Sequence, residues 1–271
     1  MEPHLPLLER IATALERLAP PPPRAPDWSL ADAFAWDGYS SVLVPVPQVE
    51  SVDLELLHGI DRQKETLLAN TARFAEGRPA NHALLWGARG MGKSALVKAV
   101  LAQFPSVLAV IEVRREELDT LPALLTLLAD CPRRVVLYCD DLSFDAGETE
   151  YKALKSLLEG GIRGGVEQAL FYATSNRRHL LPRAMSENEE RAAVHASEGA
   201  EEHLSLSDRF GLWLGFYGCD QDTYLAIVRD YAEHFGVDIP ERQLEKQALE
   251  WAVTRGQRSG RVAWQFIKGV R

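Results

Sequence analysis

From about residue 51 onward, short apolar runs alternate along the chain with segments of helical periodicity. The runs are His82 to Trp86, Val107 to Val113, Val135 to Cys139, Ala169 to Ala173 and Leu212 to Tyr217. Continuous apolarity marks strands buried on both faces, and strands separated by helical patterns mark βαβ units with a parallel sheet. Leu96, Val97, Val100, Leu101 and Phe104 share one helical face after the first run, and Leu154, Leu157 and Leu158 do so after the third. Beyond Tyr217 the strand pattern stops, and Asp220 to Phe235, Arg242 to Thr254 and Gly260 to Lys268 read as three helices. The pattern predicts a three-layer α/β/α unit on a parallel five-stranded sheet, followed by a small all-helical unit.

Ahead of residue 51 the pattern changes. Leu7, Leu8, Ile11, Leu15 and Leu18 give the first 18 or so residues one apolar face, and the run Pro20 to Pro23 ends that helix by removing donors and crowding the preceding turn. Such a helix packs on its own domain or serves as a docking handle. Residues 25–52 look irregular, broken by Pro26, Pro45 and Pro47. The resulting division is an N-terminal helix and Pro-rich extension over 1–50, an α/β unit over 51–218 and a helical unit over 219–271. Residues 182–203 form a polar stretch rich in Glu and Ala, read as a solvated insertion.

Composition narrows the class. In 271 residues, 46% are hydrophobic and 25% charged, which suits a globular protein rather than a disordered one. The balance of 30 basic against 39 acidic residues leaves −9, a field that disfavours non-specific binding to nucleic acid or anionic lipid. Cys131, Cys139 and Cys219 show neither disulfide-framework nor zinc spacing, and a reducing compartment fits them. The N-terminus lacks the pattern of a secretory signal, and no apolar window approaches the roughly 18 residues of a membrane span. The expectation is a soluble, cytoplasmic protein without membrane insertion.

Chemistry concentrates after the first strand. Gly87-Ala88-Arg89-Gly90-Met91-Gly92-Lys93-Ser94, followed by Ala95, fits GxxxxGK[ST] at every fixed position, between an apolar strand and an amphipathic helix. Glycines let the backbone fold around a phosphate with its N–H groups turned inward, and the helix start adds its positive dipole end. In this P-loop, Lys93 is expected to reach the β- and γ-phosphates and Ser94 to ligate Mg²⁺. Asp140 and Asp141 end the third apolar run, where a magnesium-side acid belongs. Asp140 is expected to orient Mg²⁺ through its waters, and Asp141 to polarise the water attacking the γ-phosphate. The alternative for both is capping of the strand or next helix. His82 reads as a strand-edge residue, and Trp213, Trp251 and Trp264 as core.

At this point the chain resembles the AAA+ ATPases from roughly residue 51 to its end. Gly59 to Lys64 looks like the element leading into the adenine pocket. Ala173-Thr174-Ser175-Asn176 resembles the sensor 1 strand, with Asn176 at the position that contacts the γ-phosphate or attacking water. Ser207-Asp208-Arg209-Phe210 resembles the segment carrying the arginine finger, which implies that Arg209 enters a neighbouring subunit's site. Ser259-Gly260-Arg261 looks like sensor 2, implying that Arg261 reaches the phosphates of its own subunit. More narrowly, LLWGARGMGKS, CDDLSFD, ATSNRRHLLPR and LSDRFGLWLGFY resemble the bacterial AAA+ family known as domain of unknown function 815.

The resemblance implies a P-loop NTPase with a helical lid that binds ATP and Mg²⁺, works as a homo-oligomer and acts on a protein or nucleic-acid client. The family pattern places glutamate where this chain has Asp141, one methylene shorter, and Asp145 lies beyond the turn. Taken singly, Arg209 also suits pairing with Asp208 or another surface acid, Arg261 a solvated helix start, and Asn176 a local cap. Arg177, Arg178, His179 and Arg183 suit solvated or interface charge better than a nucleic-acid patch. An ATPase coupling hydrolysis to lid motion and client remodelling is the leading expectation. A nucleotide-dependent loader with little hydrolysis is the alternative, and a small P-loop kinase is disfavoured by the helical unit and the candidate finger.

Overall fold

The computed structural model describes residues 5–18, 26–144, 151–158, 168–178, 180, 206 and 208–271. The proline run 20–23, Asp145, His179, the polar stretch 182–203 with Arg183, and Ser207 lie outside the described residues. Strands β1 (Ala33–Asp37), β2 (Val42–Val46), β3 (Ala83–Gly87), β4 (Leu108–Glu112), β5 (Arg134–Cys139), β6 (Ala169–Ser175) and β7 (Leu212–Phe216) form one sheet in the order β2-β1-β4-β5-β6-β3-β7. All neighbours are parallel except the β1–β2 hairpin.

The five strands read from the pattern are β3 to β7, and the sheet is larger by two. Residues 33–46, read as irregular, supply β1 and β2. Pro45 misled that reading: proline lacks a ladder donor but is tolerated in an edge strand, and β2 is the sheet's edge, with Pro45 opposite Phe34. The hairpin is fastened to the body by Trp36, whose indole N–H donates to Thr120 Oγ1 at 2.7 Å.

Helices α2 (Asp61–Ala75) and α3 (Lys93–Leu101) pack on one face with Leu67, Phe74, Leu96, Val97 and Val100 buried. Helices α4 (Leu121–Leu128) and α5 (Tyr151–Leu158) cover the other face, where Leu124, Leu154 and Leu157 meet Val135, Leu137 and Phe171. Every residue of β6 is buried, its apolar run Ala169 to Ala173 together with the polar Thr174 and Ser175 that end it. Helices α6 (Gln221–His234), α7 (Glu241–Arg255) and α8 (Gly260–Val270) make a separate core around Tyr224, Val228, Ala248 and Phe266. Asp220 caps α6 by accepting from Thr223 N at 2.8 Å, and Ser259 caps α8 by accepting from Val262 N at 3.3 Å. The amphipathic α1 (Leu5–Leu18) leaves Leu7, Leu8, Ile11 and Leu15 exposed. Among the described residues, no helix is long and apolar enough to cross a membrane.

Candidate functional site

A cleft of about 500 Å³ opens where the C-terminal ends of β3, β5 and β6 face the helical unit. Its polar floor is the turn Arg89 to Ala95 with Asp140, Asp141, Thr174, Asn176 and Arg261. The turn can take this path because Gly87, Gly90 and Gly92 adopt positive φ. A Cβ on Gly87 would collide with the Phe216 carbonyl oxygen, and one on Gly90 would lie 2.8 Å from Ser259 Oγ.

Lys93 is buried at the head of α3, and its ammonium donates to Gly87 O and Ala88 O at 2.9 Å and to Asn176 Oδ1 at 3.1 Å. Burial lowers its pKa, opposed by the charges of Asp141 and Asp140. Asn176 Nδ2 in turn donates to Asp141 Oδ1 at 2.5 Å. Ser94 Oγ donates to Asp140 Oδ1 at 2.7 Å, and Thr174 Oγ1 donates to the same oxygen. Burial alone would raise the Asp140 pKa, but the hydroxyl donors beside it hold the carboxyl below its ordinary value. Asp141 sits at φ 52°, a left-handed conformation unusual for a non-glycine residue, and its N–H donates to Thr174 Oγ1 at 2.9 Å.

The donor set around Ser94, Asp140 and Thr174 is hydroxyl and carboxylate oxygen, without thiol or imidazole, which suits a hard cation such as Mg²⁺. A turn with three positive-φ glycines, leading straight into the start of α3, suits an anion. Above it the cleft turns apolar, lined by Leu57, Ile60 and Met91 from the sheet unit and Ile227, Tyr231 and Trp264 from the helical unit. These walls suit the flat face of a base. Two ties join the halves: Arg261 N–H donates to Gly90 O at 3.1 Å, and His58 Nε2 lies 2.5 Å from Asp230 Oδ2.

Of the residues singled out from sequence, Arg89 to Ala95, Asp140, Asp141, Asn176 and Arg261 all line this one cleft, and Gly87 and Ala88 hold Lys93 beneath it. Arg209 does not line it; its N–H donates to Leu206 O at 3.4 Å in the turn before β7. Arg177 NH1 donates to Phe144 O at 3.4 Å, and Arg178 lies 5.2 Å over the Trp86 ring. His82 Nδ1 accepts the Phe171 N–H at 2.9 Å, tying β3 to β6 as a strand-end residue does. Trp213 and Trp251 pack against the cores, whereas Trp264 both packs on Tyr231 and walls the cleft.

Thr174 was overlooked by sequence reasoning, although a buried hydroxyl two positions before Asn176 in an otherwise apolar strand is a signal. The His58–Asp230 tie was missed too, and no local pattern announces it.

A family model described as "Protein of unknown function (DUF815)" matches residues 29–271. In fold the chain is similar to RuvB of Thermotoga maritima, a Holliday junction branch migration motor, at a TM-score of 0.50 and 16% identity over 80% of this chain and 71% of that one. It is similar to the ORC2 protein of Aeropyrum pernix, in ADPNP–ADP complexes, at a TM-score of 0.51 and 16% identity over 82% and 70%. At such identity the likeness is one of fold, that of the AAA+ P-loop NTPases. Among curated proteins, none is significantly similar in sequence.

Proposed function

The chain belongs to the DUF815 family, and on that premise we propose that it is a Mg²⁺-dependent ATPase of AAA+ type. The observation that carries this reading is the continuous hydrogen-bonded chain Lys93–Asn176–Asp141–Thr174–Asp140–Ser94 lining one cleft between sheet and lid. In this reading residues 51–218, with β1 and β2 added to their sheet, bind the nucleotide and residues 219–271 form the lid.

The amides from Gly87 to Ala95 and the Lys93 ammonium bind the phosphates. Ser94 and Asp140 are the residues that would hold Mg²⁺, which supplies charge neutralisation on the phosphate oxygens. Asp141 accepts a proton from, or orients, the attacking water, and Asn176, bonded to Asp141, contacts the γ-phosphate or that water. Arg261 senses the phosphates from the lid. Positioning and charge stabilisation suffice for phosphoryl transfer to water, so no covalent nucleophile is required. Arg209 acts in trans on a neighbour's site, in keeping with its place outside its own cleft. Loss of the γ-phosphate frees Asn176 and Arg261, letting the lid swing and a client, protein or nucleic acid, sense the nucleotide state.

A second reading, a nucleotide-dependent loader with little turnover, draws on the short Asp141 side chain and its bond to Asn176. Phosphate release with Mg²⁺-ATP, followed against protein concentration alongside light scattering, tests both. Turnover that rises as the protein assembles supports the ATPase. Nucleotide-dependent assembly without turnover supports the loader, and absence of adenine-nucleotide binding by folded protein overturns both.

A further inference from the structure

Strand β5 carries one hydroxyl among its apolar residues, that of Tyr138. Asp140, which meets Ser94 at the head of α3, follows two positions later, so the alternation of a strand puts both side chains on the α3 side of the sheet. Tyr138 packs there among the residues beneath α3 and is 3% exposed. Its Oη is buried and closes no hydrogen bond. A phenol in that state carries an uncompensated loss of hydration, and phenylalanine would fill the same space without it.

The phenol is a neighbour of the Ser94–Asp140 pair. Burial pushes the Asp140 carboxyl up, and the hydroxyls of Thr174, Ser94 and Tyr138, followed by the charge of Lys98, bring it down. Ser94 and Thr174 both donate to one oxygen, Oδ1. Tyr138 is a third hydroxyl beside this acid, and its proton is uncommitted. We propose that Tyr138 is a positioning residue for the cation: with Mg²⁺ held by Ser94 and Asp140, its phenol donates to Asp140 and accepts a hydrogen bond from a water of the cation's shell. This rests on the reading of the cleft as a Mg²⁺-ATP site. Mg²⁺ keeps several of its waters when one or two protein groups bind it, and those waters donate outward. A phenol both donates and accepts, so one group can bridge carboxylate and water.

Tyr138 also lines a groove of about 560 Å³, together with Lys98 of α3 and with Glu112, its partner in register on β4. A water in that groove is the competing partner. It would satisfy the phenol in the free protein, whereas the proposal leaves it unsatisfied until the cation binds.

The test compares the full chain with Tyr138→Phe, which keeps the ring and its packing. In EDTA without nucleotide the variant is expected to melt at the same Tm or higher, since a buried unsatisfied group is removed. Calorimetry then gives Kd for ATP in EDTA and for Mg²⁺-ATP. The first is expected to match the natural chain, while the tightening that Mg²⁺ brings falls about tenfold in the variant. A lower Tm in EDTA assigns the phenol to a groove water and overturns the proposal. An unchanged tightening by Mg²⁺ overturns it too, as does an altered Kd in EDTA, which marks a general distortion; each of these leaves the nucleotide reading standing. A natural chain that binds no ATP, or binds it equally with and without Mg²⁺, overturns that reading of the site and the proposal with it.

Discussion

Thr174 donates its hydroxyl proton to Asp140, while the same oxygen accepts the N–H of Asp141 at 2.9 Å. One side chain thus fixes two adjacent acids, orienting the carboxylate of the first and stabilising the left-handed backbone of the second. Replacing Thr174 by valine keeps the volume and removes both bonds. At about 1–3 kcal/mol for an unsatisfied buried group, Thr174→Val is expected to lower turnover about 10- to 100-fold with little change in ATP affinity, and Thr174→Ser to restore most of it. Steady-state kinetics with calorimetric titration of nucleotide checks the split.

Lys93→Ala removes the charge proposed to meet the phosphates. Charge-assisted hydrogen bonds of about 1.5–3 kcal/mol translate into about a 10- to 100-fold weaker Kd for Mg²⁺-ATP. Calorimetry on the folded variant reads the change directly, and an unaltered Kd would remove Lys93 from the site.

Arg209→Ala separates binding from catalysis. ATP affinity is expected to stay, while turnover in the assembled protein falls on the order of 10³-fold. Adding a Lys93→Ala chain, which keeps Arg209 but lacks its own working site, is expected to recover part of the lost activity.

Gly90→Ala tests the contact between loop and lid. The new methyl meets Ser259 Oγ at 2.8 Å and Arg261 Cβ at 3.1 Å, from a backbone at φ 76°. The lid must shift to admit it, so a lower Tm and about tenfold weaker ATP binding are expected.

His82 gives a pH signature. Burial lowers its pKa to about 4 in the folded chain, against 6.5 ordinarily, so between those values the unfolded chain binds the proton more readily. Its contribution to stability is complete above pH 6.5 and is lost as pH falls toward 4, by at most about 3 kcal/mol. Denaturant unfolding from pH 4 to 7 is expected to show this slope, and His82→Asn to flatten it.

The strands β3 to β7 and the three lid helices were legible because each buries a contiguous apolar run or one helical stripe, a property local to the sequence. The glycine turn and the Asp140–Asp141 pair were legible for a similar reason, their chemistry being set by close spacing. β1 and β2 were hidden because their pairing depends on an edge position that proline tolerates, which a local pattern does not encode. Thr174 and the His58–Asp230 tie depend on neighbours 34 and 172 residues away in sequence, brought together only by the parallel sheet and the docked lid.

The link between Gly90 O and Arg261 N is made of main chain alone. Side-chain replacement at 261 therefore leaves this main-chain fastening between the glycine turn and the helical unit in place. On the proposed reading, a variant at 261 would lose the guanidinium's contact with phosphate and keep the joint, so sensing and fastening would be separable by mutation.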